Sequence, residues 1–211
     1  MIAAAPAVGR RVRIAGAGRD AAYGEDDGFV VVLTVARPLL PNGAQVRALP
    51  RVGDALVVRA GEVWDPRLRL GAVELAPDGP DDLARAVAER DPALAAAAGA
   101  RRIGRGGGLT PEGDDLIAGV AAVVAAGPWP QPERDEWLRA LVGTDLRRRT
   151  TALSATLLEL ATAGMGPEPL QALVAGDRGA LARLDAIGHS TGRAIAAGAA
   201  LAMANVGHKA E

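Results

Sequence analysis

The sequence predicts an α+β protein, an N-terminal antiparallel β sheet or small barrel followed by a multi-helix α domain. Three observations carry that expectation. From Val8 to about Ala76, apolar residues fall in short runs or alternate, punctuated by Gly, Asp and Asn-Gly. The composition then shifts at Pro77-Asp78-Gly79-Pro80, and from Asp81 onward the apolar residues recur at helical spacing. The expected division is therefore a β-rich domain over 1–78 and a helical domain over 79–211, a size at which a sizeable core forms without staples.

Strands are expected at Arg11 to Ala15, Gly28 to Ala36, Ala55 to Ala60 and Leu68 to Leu75. Phe29 to Leu33 is uninterruptedly apolar and suits a strand buried on both faces, Asn42-Gly43 is a turn candidate, and Gly61-Glu62 suggests a tight reversal toward Val63-Trp64. Asp81-Asp82 opens a helix whose Leu83, Val87 and Ala88 share a face. Asp91-Pro92 opens the next, with aspartate as cap and proline at the first helical position. Helices are further expected at Pro111 to Ala126, Pro132 to Arg147, Thr150 to Ala163, Glu168 to Ala175, Gly179 to Ala186 and Ser190 to Ala204. Ala118, Gly119 and Ala122, like Ala194, Ala197 and Gly198, place small residues on helix faces where backbones can come close.

Composition narrows the chemistry. There is no cysteine, so disulfides, thiolate metal sites and thiol nucleophiles are excluded, and the chain is compatible with a reducing cytoplasm. Lys209 is the sole lysine, which removes Schiff-base catalysis from the helical core and leaves arginine as the grip for carboxylate or phosphate. A net charge of -1 with 2% aromatic residues argues against nucleic acid as a partner. Arg10, Arg11 and Arg13 interrupt the N-terminal Ala-rich segment where an export signal would need apolar residues. Gly127, Pro128 and Pro130 break the longest uncharged stretch, so no membrane span is expected.

The most informative segment runs from Gly104 to Asp115, Gly-Arg-Gly-Gly-Gly-Leu-Thr-Pro-Glu-Gly-Asp-Asp, directly before an apolar helix. Gly104, Gly106, Gly107, Gly108 and Gly113 allow backbone amides to converge, and Thr110-Pro111 marks a helix start, so the segment has the makings of an anion cradle. It is no nucleotide motif, since no Lys-Ser or Lys-Thr follows and Leu109 stands where GxGxxG needs its third glycine. Read alone, such a loop serves equally as a plain connection between helices. Asp114 and Asp115 add weight to a site, offering a general base or ligands for Mg2+. Neighbouring helix positions face about 100° apart, so one carboxylate is expected in the site and the other bracing the loop.

Two further segments share this logic. Gly188-His189-Ser190-Thr191-Gly192 is a polar turn opening a helix, with Ser190 or Thr191 as cap and His189 available as acid, base or hydrogen-bond donor, or simply structural. Arg147-Arg148-Arg149-Thr150-Thr151, with Ser154 one turn on, is either a solvated charge run or an arginine-and-hydroxyl grip on a small anion.

Residues 104–119, GRGGGLTPEGDDLIAG, resemble the signature of the AllH-like family, a former domain of unknown function associated with the oxamate carbamoyltransferase of allantoin breakdown in purine catabolism. Agreement extends in order along nearly the whole chain: an N-terminal β segment with the Leu40 to Gly43 turn, the signature, Arg149-Thr150-Thr151 to Ser154, and Gly188 to Gly192. Glu112 replaces the usual Ser, and Ala194 falls where an Asp is common.

The resemblance implies carbamoyl transfer between carbamoyl phosphate and oxamate, in an assembly with other carbamoyltransferase subunits. It implies that the Gly104 to Gly108 backbone, Gly113 and Thr110 hold phosphate or carboxylate. Asp114 or Asp115 would bind metal or orient the nucleophile, Arg149 with Thr150, Thr151 and Ser154 would grip the carboxylate, and His189 with Ser190 and Thr191 would serve the carbonyl oxygen. A non-catalytic anion-binding or scaffolding subunit, and a metal-dependent hydrolase or lyase of a small metabolite, are the alternative readings of the same residues.

Overall fold

The computed structural model describes residues 11–19, 21–34, 42–45, 49–57 and 81–206. The chain divides into two compact units, Met1–Pro66 and Arg67–Glu211. The α+β class holds: the described strands all lie in the first unit and the described helices all lie in the second.

The first unit contains β1 (Arg11–Ala17), β2 (Ala21–Asp26), β3 (Phe29–Thr34), β4 (Gly43–Gln45) and β5 (Ala55–Val57), in the spatial order β4-β3-β2-β1-β5. Val12 and Ile14 on β1 are buried while Arg11 and Arg13 are exposed, the period-2 pattern of a one-sided strand. β3 is buried from Phe29 to Leu33, as its unbroken apolar run requires. Between β2 and β3 the chain reverses on Asp27 and Gly28, with φ of 48° and 76°. Two successive left-handed residues give the twist a two-residue hairpin needs, and Asp-Gly suits it best.

The sheet differs from the expectation in two places. Ala21–Asp26, with its central glycine and terminal acids, has little strand character in sequence, yet it forms β2 by pairing along its length with β3. Gly24 is needed there because the Val12 side chain packs against it. Asn42-Gly43 is no hairpin turn: β4 runs parallel to β3, with Val32 opposite Gly43, so the sheet is antiparallel except at this edge. Asn42 is fully buried at the start of β4, donating to the Val30 carbonyl at 2.9 Å and accepting the Val32 amide at 3.0 Å. The expected strand at Leu68 to Leu75, the reversal at Gly61-Glu62 and the boundary at Pro77 to Pro80 lie outside the described residues.

The second unit contains α1 (Asp81–Glu89), α2 (Pro92–Arg102), α3 (Glu112–Ala126), α4 (Gln131–Val142), α5 (Leu146–Arg149), α6 (Ala152–Thr162), α7 (Glu168–Val174), α8 (Ala180–Asp185) and α9 (Thr191–Asn205). Asp91 caps α2 as its position before Pro92 predicts, accepting the amides of Ala93 and Leu94. The single helix expected over Pro132 to Arg147 is two. Gly143 and Asp145 both take left-handed φ, 69° and 59°, which ends α4 and redirects the chain into α5. Asp82 ties α1 to α2 by accepting from Arg101 and Arg102. Trp129 and Trp137 meet edge to face at 5.5 Å, and the Arg90 guanidinium lies 5.1 Å from the Trp129 ring.

The centre of this unit is the packing of α3 on α9. A Cβ on Gly119 would fall onto the Ile195 carbonyl, and one on Gly198 onto the Leu116 carbonyl, so each helix presses its glycine onto the other's backbone. Ile117, Val120, Val123, Val124, Leu201 and Ala202 complete the core around that crossing.

Two predictions follow from these contacts. Gly198→Ala forces the crossing apart and is expected to cost about 2 kcal/mol or more, lowering Tm by roughly 5 °C or more; an unchanged thermal midpoint would contradict the close approach. The guanidinium groups beside Asp82, Arg102 first, hold its carboxyl at about 2, below the ordinary 3.8. A depressed carboxylate stabilises fully above its unfolded pKa and progressively less as pH falls toward 2. Asp82→Asn is therefore expected to cost about 1 kcal/mol at pH 7, the pair being partly solvated. By denaturant titration the cost should shrink below pH 4, and a pH-independent difference would count against the ion pair.

Candidate functional site

The loop between α2 and α3 is fixed at both ends and open in the middle. Arg105 donates its amide to the Arg102 carbonyl at 2.9 Å and accepts the Gly113 amide at 2.9 Å, folding the segment back on the start of α3. Gly104, at φ 79°, lies against the Arg149 carbonyl, and Gly106, at φ 120°, lies over the Glu112 amide. A side chain at either position would collide with backbone. Gly107 and Gly108 instead face open space, and among the described residues no acceptor bonds the amides of Gly106, Gly107 or Gly108. Leu109, 64% exposed, stands at the end of this open stretch.

The two aspartates divide their work as adjacent helix positions require. Asp114, 1% exposed, accepts the Gly104 amide at 2.7 Å on one oxygen and the Thr150 hydroxyl on the other. It is the brace that ties the glycine loop to the segment before α6. Thr151 adds a second tie: its hydroxyl donates to the Leu109 carbonyl at 2.6 Å while accepting the Ser154 amide at 3.1 Å as the α6 cap.

Asp115 is 2% exposed, and its Oδ2 has no hydrogen-bond partner among the described residues. The hydroxyls of Thr110 and Thr191 lie 2.9 Å apart, and both bond toward this carboxyl. Burial pushes Asp115 up to about 7 from the ordinary 3.8; the Thr191 and Thr110 hydrogen bonds pull it down, and the charges of Asp114 and Glu112 add to the rise. A carboxyl half ionised near neutral pH, with one oxygen free, is suited to accept or give a proton.

The glycine loop, the Thr150-Thr151 segment and the turn into α9 thus meet through Asp114 with Thr150, Thr151 with Leu109, and Thr110 with Thr191. Other expected residues stand differently. The Arg149 guanidinium is turned onto helix carbonyls, donating to Val142 at 2.9 Å and Gly99 at 3.3 Å, where it closes the end of α4. Ser154 is buried, and among the described residues its hydroxyl has no partner. Ser190 occupies the α9 cap position without a side-chain cap bond, and Thr191 turns to Thr110. His189 is exposed, its carbonyl accepting from Arg193 at 3.0 Å.

Both Asp114 oxygens already accept hydrogen bonds, and no group of three His, Asp or Glu side chains that could hold an ion occurs among the described residues.

A family model described as oxamate carbamoyltransferase subunit AllH matches residues 102–203. Over that segment, just under half of its length, the chain is similar to that family. The match runs from the last residue of α2 into α9 and so contains every residue of the cluster just described. It leaves out the β unit, including the Leu40 to Gly43 stretch on which the resemblance of the first unit rested. No curated protein and no solved structure matches the chain. No helix among the described residues is long and apolar enough to cross a membrane.

Sequence reasoning paired Asp114 with Asp115 but missed the Thr110–Thr191 contact, which joins positions 81 residues apart. Thr191 at a helix start reads as a cap, and nothing local shows that the start of another helix meets it.

The raised Asp115 sets a pH dependence whose sign is fixed. The folded protein holds a proton that the unfolded chain has released between roughly pH 4 and 7, so this group's contribution to stability falls as pH rises through that window. Asp115→Asn has no proton to lose. Its Tm relative to wild type is expected to move upward from pH 4 to pH 8; a flat difference would mean that the carboxyl is solvated.

Proposed function

We infer that the AllH-like segment binds small anionic substrates and serves carbamoyl transfer between carbamoyl phosphate and oxamate, as a subunit of an oxamate carbamoyltransferase. The observation that carries this reading is the buried Asp115, two threonine hydroxyls beside it, next to the Gly106 to Gly108 loop; among the described residues one Asp115 oxygen has no partner and the three glycine amides have no acceptor.

Transfer needs an acceptor for negative charge and an acceptor for a proton. The oxamate nitrogen attacks the carbamoyl carbon, a C–N bond forms, the C–O bond to phosphate breaks, and phosphate leaves with the electron pair while the nitrogen loses a proton. Unprotonated Asp115, poised near 7, takes that proton. Amides of the glycine loop hold the anionic group by positioning and charge stabilisation, in a chain without cysteine and with one lysine. His189, exposed at the turn into α9, is the group assigned to the carbonyl oxygen. Asp114 keeps the loop in place.

A second reading is favoured by the family description, which names a subunit: the chain binds the anion and completes an active site carried by a partner. In either case the reaction belongs to allantoin breakdown, and a cysteine-free chain suits a cytoplasmic setting.

The test assays phosphate release and oxalurate formation from carbamoyl phosphate and oxamate, using the chain alone and with candidate partner subunits. Asp115→Asn is expected to stay folded and lose turnover by about 10²- to 10⁴-fold. Wild-type turnover in that variant would remove the proton-transfer role, and turnover by partners without this chain would remove the subunit reading.

A further inference from the structure

With Arg149 turned inward, the cations that face an anion at the loop must be others. Arg101 and Arg102 pair with Asp82, Arg147 with Glu159, and Arg193 with Asp185. Arg105 and Arg148 are both exposed, and among the described residues neither side chain has a carboxylate or carbonyl partner.

Their placement is not arbitrary. Gly104 lies in contact with the Arg149 carbonyl, and Arg105 and Arg148 are the residues next to each side of that contact. Successive Cα atoms are about 3.8 Å apart, so the Cα atoms of the two arginines are no more than roughly 14 Å from each other. Two arginine side chains bridge such a gap with one anion between them. Arg105 also immediately precedes Gly106, Gly107 and Gly108, whose amides lack acceptors among the described residues. Glu112 is exposed at the start of α3 but pairs with neither arginine.

We propose that Arg105 and Arg148 are the recognition pair for the phosphoryl group of the substrate, gripping it from opposite sides of the Gly104–Arg149 contact. This rests on the small-anion reading of the loop and deepens it by naming the substrate's phosphate end as their ligand. Two guanidinium forks together with free amides match a dianion with three terminal oxygens better than a carboxylate, which offers one charge and two oxygens. Oxamate binding then depends on other groups.

The experiment is calorimetric titration of the full chain with inorganic phosphate and, separately, with oxamate. Arg105→Gln, Arg148→Gln and Arg178→Gln are compared with wild type, Arg178 being an exposed arginine between α7 and α8. Expected is a rise in the phosphate Kd of at least about tenfold in each of the first two variants. The Arg178 variant and all oxamate affinities should stay within twofold or so of wild type. Phosphate affinity unchanged at Arg105 or Arg148, or lowered as much at Arg178, overturns the pair while leaving the anion site standing. Wild-type protein that binds oxamate but not phosphate does the same. Wild-type protein that binds neither anion overturns the pair together with the reading beneath it.

Discussion

The contact between the backbones of α3 and α9 at Gly119 and Gly198 is the constraint on which the helical unit and its candidate site depend. Two helices that touch through side chains keep their axes 8–10 Å apart and leave their ends free to settle separately. Here the absence of Cβ atoms brings each backbone onto the other, which fixes the crossing and therefore where both N-termini lie. Thr110, just before α3, and Thr191, the first residue of α9, are within hydrogen-bond distance as a result. The site is a consequence of the core.

Adjacent aspartates on α3 show how one turn of helix yields two chemically different carboxylates. Both are buried, and burial without partners raises a carboxyl group strongly. Asp114 has donors on both oxygens, an amide and a hydroxyl, so its role is to hold Gly104 and Thr150 together. Asp115, rotated about 100° around the helix, meets two hydroxyls and retains an oxygen with no partner, and burial dominates there. A carboxyl group that is costly to keep buried and ionised has no structural justification in its own contacts. Its cost is sustained by the surrounding packing.

The division into strands and helices was legible because it depends on local pattern: the alternation of Val12 and Ile14 against Arg11 and Arg13, the apolar run of β3, Asp91 before Pro92. What was not legible depended on partners. Ala21–Asp26 becomes a strand because β3 offers it a full ladder, and β4 runs parallel because the buried Asn42 bonds to Val30 and Val32. In the site, the sequence marked the loop, both aspartates and the threonines. It expected one aspartate to brace the loop and the other to face a site, without saying which; Asp114 is the one bonded to Gly104 and Thr150. That choice depends on where Thr150 and Thr191 arrive, and both contacts span many residues.

Arg149 shows why residue type alone misleads at such a site. In sequence it stands beside two hydroxyls, which is how an anion grip looks. In the structure, α4 ends at Val142 because Gly143 turns left-handed, and the helix there leaves carbonyls without intrahelical donors. Arg149 supplies one of the missing bonds, to Val142, and adds a second donor to the Gly99 carbonyl on α2, which already accepts the Ile103 amide. A guanidinium drawn onto carbonyls in this way has both terminal nitrogens committed to backbone. The exposed arginines beside the Gly104–Arg149 contact are Arg105 and Arg148. In the proposed pair, an anion at the amides of Gly106 to Gly108 meets two exposed arginines whose side chains bond to neither Asp114 nor Asp115 nor the α3–α9 crossing among the described residues, so the charge of the loop and the packing of the core rest on different groups.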